Sequence, residues 1–101
     1  MAREEIFGPI LVILLFETEE EAIKLANDSD YGLGAGVFTQ NMGIAERSVR
    51  AIEAGTVWIN CYNVNPYFMP FGGYKQSGFG KDIGEESLSE FTRTKAVYYK
   101  W

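Results

Sequence analysis

The chain has 101 residues, 47% apolar and 23% charged, with 9 Lys+Arg against 14 Asp+Glu for a net charge of −5. That is the balance of one small globular domain; it excludes a disordered or fibrous chain, and its acidic surface argues against nucleic-acid or membrane-surface partners. One cysteine and no histidine exclude an internal disulfide, a Ser-His-Asp triad, a Cys-His pair and a Cys/His metal cluster, and suit a reducing, cytoplasmic setting.

The first element in chain order is the apolar run Ile10 to Phe16, bounded by Gly8-Pro9 and an acidic stretch. At seven residues it is far short of the roughly 20 needed to span a bilayer, and it predicts a strand covered on both faces, as in a parallel sheet. Thr18 followed by Glu21 has capping-box spacing and opens a helix from about Glu19 to Asn27, with Ala22, Ile23 and Ala26 facing inward. Asp28 to Gly32 reads as a turn. Gly34 to Thr39 is a second strand whose small residues predict the close approach of another backbone or a ligand. A second helix follows over about Met42 to Ala54, with Ile44, Ala45, Ser48, Val49 and Ile52 at helical spacing and Gly55 at C′. Thr56 to Asn60 completes a βαβαβ pattern and hence an α/β, parallel-sheet unit.

From Cys61 to Gly84 no period is visible, and a long aromatic, glycine-rich loop is expected, the kind that carries function. A short helix from about Glu85 to Thr92, with Asp82 and Glu85 as a capping pair, precedes a last strand over Ala96 to Trp101.

Within that frame few residues offer chemistry. Gly78-Phe79-Gly80-Lys81-Asp82-Ile83-Gly84 is one residue too long for a dinucleotide fingerprint, so its glycines read as turn and packing positions. Lys75 and Lys81 are solvated surface lysines or an anion contact. Cys61, at the carboxyl end of the third strand, reads as a buried, inert thiol rather than a nucleophile, since no base or basic cluster flanks it. Tyr62, Tyr67, Phe68, Met69, Phe71, Tyr74 and Phe79 form either a pocket wall or interface, or a satellite core under the loop.

Four motifs in series carry a resemblance. Glu4-Glu5-Ile6-Phe7-Gly8-Pro9, Ala26 to Leu33, Ala54-Gly55-Thr56-Val57-Trp58-Ile59-Asn60 and Pro70-Phe71-Gly72-Gly73-Tyr74-Lys75-Gln76-Ser77-Gly78 resemble the C-terminal part of an NAD(P)-dependent aldehyde dehydrogenase, in order and over essentially the whole chain. The resemblance implies that Glu5 contacts the nicotinamide ribose hydroxyls and that Phe7 packs near the nicotinamide ring. It points to Asn65 and Phe71 in the aldehyde pocket, with Cys61, Tyr67 and Phe68 as further candidates; Asn65 departs from the aromatic residue many relatives carry there. It also implies that residues 95–101 resemble the segment building the family's intersubunit sheet, and hence a homo-oligomer.

The family's catalytic cysteine, its general-base glutamate and its cofactor domain lie upstream of the matching region, and Met1 directly before the first motif implies a shortened chain. The implied reaction is thiolate attack on the aldehyde, hydride transfer to NAD+ or NADP+ and thioester hydrolysis. The single C-terminal portion spanning residues 1–101 would supply contacts to it and no catalytic residue or metal, would bind no cofactor alone, and would be inactive by itself. The competing expectation is a non-catalytic α/β module that associates through its terminal strand and aromatic loop.

Overall fold

The computed structural model describes residues 3–101; Met1, used above to place the chain's start, and Ala2 lie outside them. Helix α1 (Glu19–Asn27) begins where Thr18, in extended backbone, accepts a hydrogen bond from the Glu21 amide at 3.1 Å. The Glu21 carboxylate reaches back to the Glu17 amide at 2.9 Å, so the expected capping box forms one residue wider than usual. Strands β1 (Tyr31–Gly32) and β2 (Gly34–Val37) follow, then helix α2 (Met42–Ala51), capped by the Asn41 side chain on the Ile44 amide at 3.1 Å. Strands β3 (Thr56–Ile59) and β4 (Tyr74–Lys75) and a short helix α3 (Ser87–Phe91) complete the elements.

β2 and β3 pair in parallel, Gly34 opposite Thr56 through Val37 opposite Ile59, across the crossover helix α2. The buried side chains are few: Ala45 and Ser48 on the inner face of α2, and Trp58 of β3, with Gly32 and Gly73 also buried. The Trp58 ring lies against Gly34, where a Cβ would come within 2.8 Å of it, and Tyr62 lies similarly against Gly36 at 3.0 Å. The small residues of β2 therefore make room for aromatic rings from the chain itself, which meet edge to face at a centroid distance of 5.0 Å.

The α/β class stands, but several expected boundaries shift. The run from Ile10 to Phe16 carries no strand ladder among the described residues, because no neighbouring strand offers its N–H and C=O groups a partner. The βαβαβ pattern is thus realised as one β2–α2–β3 unit. Residues 96–101 likewise form no strand, and Tyr98 and Trp101 are fully exposed. Part of the expected Asp28–Gly32 turn is β1, paired antiparallel with β4.

α2 stops at Ala51 because the Asn27 side chain takes over the next backbone groups, donating to the Ala51 carbonyl at 2.8 Å and accepting from the Glu53 amide at 2.9 Å. Gly55 is consequently not a helix C′ residue. Its lack of a side chain lets the Gly72 carbonyl sit where a Cβ would be. Asp82 and Glu85 do not cap α3: the helix begins at Ser87 with Glu86 at the N-cap and no side-chain capping bond, while the Asp82 backbone is bonded in both directions to Phe71 at 2.7 and 2.8 Å.

The two longer helices are joined by a bidentate ion pair, with Arg47 donating to Glu19 at 2.8 and 2.6 Å. That hydrogen bond, and then the guanidinium charge, hold the Glu19 carboxyl below its ordinary range. A carboxylate lowered on folding contributes stability above its unfolded pKa and loses it as pH falls through the folded value. Arg47→Met should therefore lower the urea midpoint at pH 7, with the gap to the parent chain closing in acid as Glu19 protonates. A gap that stays constant into acid would remove the pair from helix docking.

Candidate functional site

Three side-chain systems converge around β1 and the start of β2. The first is the N-terminal segment, pinned to the end of α1 where Arg3 donates to both Asp28 oxygens at 2.8 and 2.7 Å. This places Glu5, with Arg3, Glu4, Tyr31, Glu53 and Ser77, around a cavity of about 400 Å³ that residues 32–35 also line. Phe7 is 94% exposed, with φ of 54°.

The second system is the long loop. Asn60 (φ 53°) uses its side-chain amide to hold both backbone groups of Thr39, at 2.8 and 2.9 Å. The Trp58 indole N–H donates to the Val64 carbonyl at 2.8 Å, so the buried ring of the sheet also fixes the loop next to Asn65. Asn65 is exposed and donates to the Asn63 side chain at 3.2 Å. Further along, Phe71 is half-buried and lines a second cavity of about 300 Å³ with Phe79, Lys81, Asp82, Glu90 and Phe91. Leu33 and Ser77 line both cavities, so the two adjoin across β1.

The third system is the knot that holds these parts. The Lys75 ammonium pairs with Glu53 at 2.6 Å and donates to the carbonyls of Asn27 at 3.0 Å and Ser29 at 3.2 Å. Its three protons are thereby used within the fold, and Lys75 is neither a solvated lysine nor an anion contact. Lys81 donates to the Gly72 carbonyl at 3.1 Å and lies 4.2 Å from the centre of the Tyr74 ring. The Gly32 amide donates to the Ser77 hydroxyl at 3.0 Å. Asn27, Ser77 and Trp58 thus position the site without having been singled out for it. The visible signal was the polar cluster Asn27-Asp28-Ser29-Asp30 closing a helix, and the repeated pairing of glycines with polar neighbours.

The expected site residues are only partly brought together. Glu5 and Phe71 face adjoining cavities, while Phe7 and Asn65 line neither. Cys61 is exposed, not buried as expected, because the strand ends at Ile59 and the chain turns outward at Asn60. Tyr62, Tyr67, Phe68, Met69, Tyr74 and Phe79 are all exposed, which removes the satellite-core alternative for the loop. The glycines at 78, 80 and 84 have φ of 116°, 80° and 67°, as turn positions require. Among the described residues no group of three or more His, Cys, Asp or Glu could hold a metal, and no helix is long and apolar enough to cross a membrane.

The sequence matches the profile of the aldehyde dehydrogenase family over residues 1–97. The chain belongs to that family. It is 51% identical over 100 residues to an aldehyde dehydrogenase of Emericella nidulans, covering 99% of this chain and 20% of that protein. It is 52% identical over 98 residues to a betaine aldehyde dehydrogenase of Cereibacter sphaeroides, covering 97% of this chain and 20% of that one.

Among solved structures, the indole-3-acetaldehyde dehydrogenase of P. syringae in complex with NAD+ and IAA superposes with a TM-score of 0.91 at 46% identity, over 98% of this chain and 20% of the other. The betaine aldehyde dehydrogenase of Staphylococcus aureus in complex with NAD+ gives a TM-score of 0.85 at 49% identity, over 88% of this chain and 18% of the other. The aldehyde dehydrogenase chain described here therefore spans about a fifth of the length of the relatives it matches.

The Asn27 amide sits at the centre of the knot, and its removal leaves the Glu53 N–H and the Ala51 carbonyl without their partner. Asn27→Ala should cost about 1–3 kcal/mol in urea unfolding. Asn27→Asp, which keeps the acceptor for Glu53, should recover part of that loss.

Proposed function

We propose that this aldehyde dehydrogenase chain supplies a cofactor contact and part of the substrate pocket for oxidation of an aldehyde to a carboxylate, and that it carries out no oxidation alone. The observation that carries the reading is the placement of Glu5 on a cavity that adjoins the Phe71 cavity across Leu33 and Ser77. An ionised carboxylate only accepts hydrogen bonds and can take two at once, which suits a pair of ribose hydroxyls. Glu5 would therefore hold the ribose of NAD or NADP, and the relatives solved with NAD+ favour NAD. The nicotinamide, when bound, accepts the hydride. Phe7, beside it in sequence and fully outward, offers a ring face for packing near it.

On the aldehyde side, Phe71 would form an apolar wall and Asn65 a polar one, with Cys61, Tyr67 and Phe68 further out. No described residue has the surroundings of an activated nucleophile. Cys61 is exposed with no histidine in the chain to deprotonate it. A free, unpaired thiol fits a reducing compartment, and we place the protein in the cytoplasm. We further assign residues 95–101 to contact between copies. The segment resembles the family's intersubunit strand, and Tyr99 and Trp101 stack at 5.9 Å on a tail with Tyr98 and Trp101 fully exposed.

The purified chain should give no aldehyde-dependent reduction of NAD+ or NADP+. Steady turnover abolished by Cys61→Ser would make Cys61 a nucleophile and overturn the reading. Deleting residues 95–101 should leave the circular dichroism of α1 and α2 intact and weaken self-association. Unchanged association would take the tail out of the interface.

A further inference from the structure

The start of the long loop hangs on a single side-chain bond. The Trp58 indole N–H donates to the Val64 carbonyl at 2.8 Å, one residue before Asn65, and Trp58 is 8% exposed. Among the described residues this is the only hydrogen bond from residues 61–65 to the rest of the fold. The remaining order there is internal: Asn63 has φ of 57°, and the Asn65 amide donates to its side chain at 3.2 Å. Where the indole stands therefore decides where Asn65 stands.

What fixes the indole lies on the neighbouring strand. Gly34 of β2 faces it so closely that a Cβ there would come within 2.8 Å of Cζ3 and 3.1 Å of Cη2. Carbon atoms in contact stand about 3.5–4.0 Å apart, so a side chain at position 34 displaces the ring by roughly 0.7 Å. An indole is a rigid plane, and a push at its six-membered edge is carried to Nε1. The 2.8 Å bond has no room for such a shift: it breaks, or Val64 moves with the ring.

We propose that Gly34 is a specificity-determining position of this aldehyde dehydrogenase chain, setting the place of Asn65 through the Trp58 indole without touching Asn65. Gly34 also lines the Glu5 cavity, 31 positions before Asn65, so one residue serves both sides of the site. Misplacing a positioning group by about 1 Å costs on the order of 100-fold in rate, enough to change which aldehydes are accepted. That Asn65 borders the aldehyde rests on the function proposed above. The link from Gly34 to Asn65 does not.

Gly36, on the same face of β2 two residues on, supplies the contrast. A Cβ there would meet the Tyr62 ring at 3.0 Å, but Tyr62 is 62% exposed and its hydroxyl holds no hydrogen bond among the described residues. That ring swings into solvent and leaves the loop backbone in place. Neither glycine lies in the left-handed region, so alanine strains neither backbone and any effect comes from the added carbon.

The test is nuclear magnetic resonance on the isotope-labelled 101-residue chain, without aldehyde or cofactor. Gly34→Ala should shift the Trp58 indole N–H, the amides of residues 63–65 and the Asn65 side-chain amide. It should also speed deuterium exchange at the indole N–H about tenfold. Gly36→Ala should leave residues 63–65 unmoved. Replacing the Trp58 indole with benzothiophene keeps the ring's bulk and removes its N–H; residues 63–65 should then lose order while β2 and β3 keep their protection. Gly34→Ala added to that chain should move residues 63–65 no further, since the tether is already cut. Residues 63–65 unmoved in Gly34→Ala, an equal response to Gly36→Ala, or a loop indifferent to loss of the N–H would each overturn the proposal. So would loss of protection across β2 and β3 in Gly34→Ala, because the glycine would then hold the sheet and not the loop. Failure here leaves the proposed function standing, and an active purified chain would overturn that function while leaving this link in place.

Discussion

Two parallel strands of four residues cannot cover their own faces, and everything else in this chain answers to that constraint. Parallel sheets are stable when helices or other layers cover both sides. Here α2 supplies one layer, through Ala45 and Ser48, and the Trp58 and Tyr62 rings fold against the glycines of β2 to supply some cover of their own. The result is a folded centre with only five buried residues among those described, and only Ala45, Ser48 and Trp58 of them carry side chains. Order beyond it has to come from polar bonds rather than from burial. That is why the Asn27 and Lys75 network matters out of proportion to its size: it ties the end of α1, the end of α2 and β4 to one another where no apolar core does so.

Glycine does the complementary job. At Gly55 the chain needs a backbone with no side chain, because the Gly72 carbonyl occupies that volume, and this contact brings the loop's second half against the sheet. The two cavities share Leu33, just after β1, and Ser77, just after β4. Glu5 and Phe71 are consequently neighbours through Leu33 and Ser77, although they stand 66 positions apart in the sequence. The junction sets a carboxylate, which accepts hydrogen bonds, near an aromatic ring, which excludes water.

What the sequence made legible follows from how local each signal is. Thr18 and the helical spacing of Ala45 and Ser48 are local, and α1 and α2 begin where those signals put them. The parallel pairing of β2 with β3 was legible because a helix between two apolar runs leaves few other topologies. Helix and strand ends were less so. Nothing near Ala54 in sequence reveals that Asn27, on another helix, ends α2 at Ala51. Lys75 was misread for the same reason: its three acceptors come from the end of α1 and from Glu53, both remote in sequence. The aromatic loop shows the opposite limit, since composition announced a special segment without saying which way the rings point.

A strand-forming pattern is a statement about side chains, whereas a strand is a statement about partners. Ile10 to Phe16 has the first without the second within one copy. Natural edges are protected by charges inside the run, by bulges or by prolines, and this run has none of these inside it. At the centre of the fold burial likewise supplies little, and the placement of a few polar groups decides which segments meet.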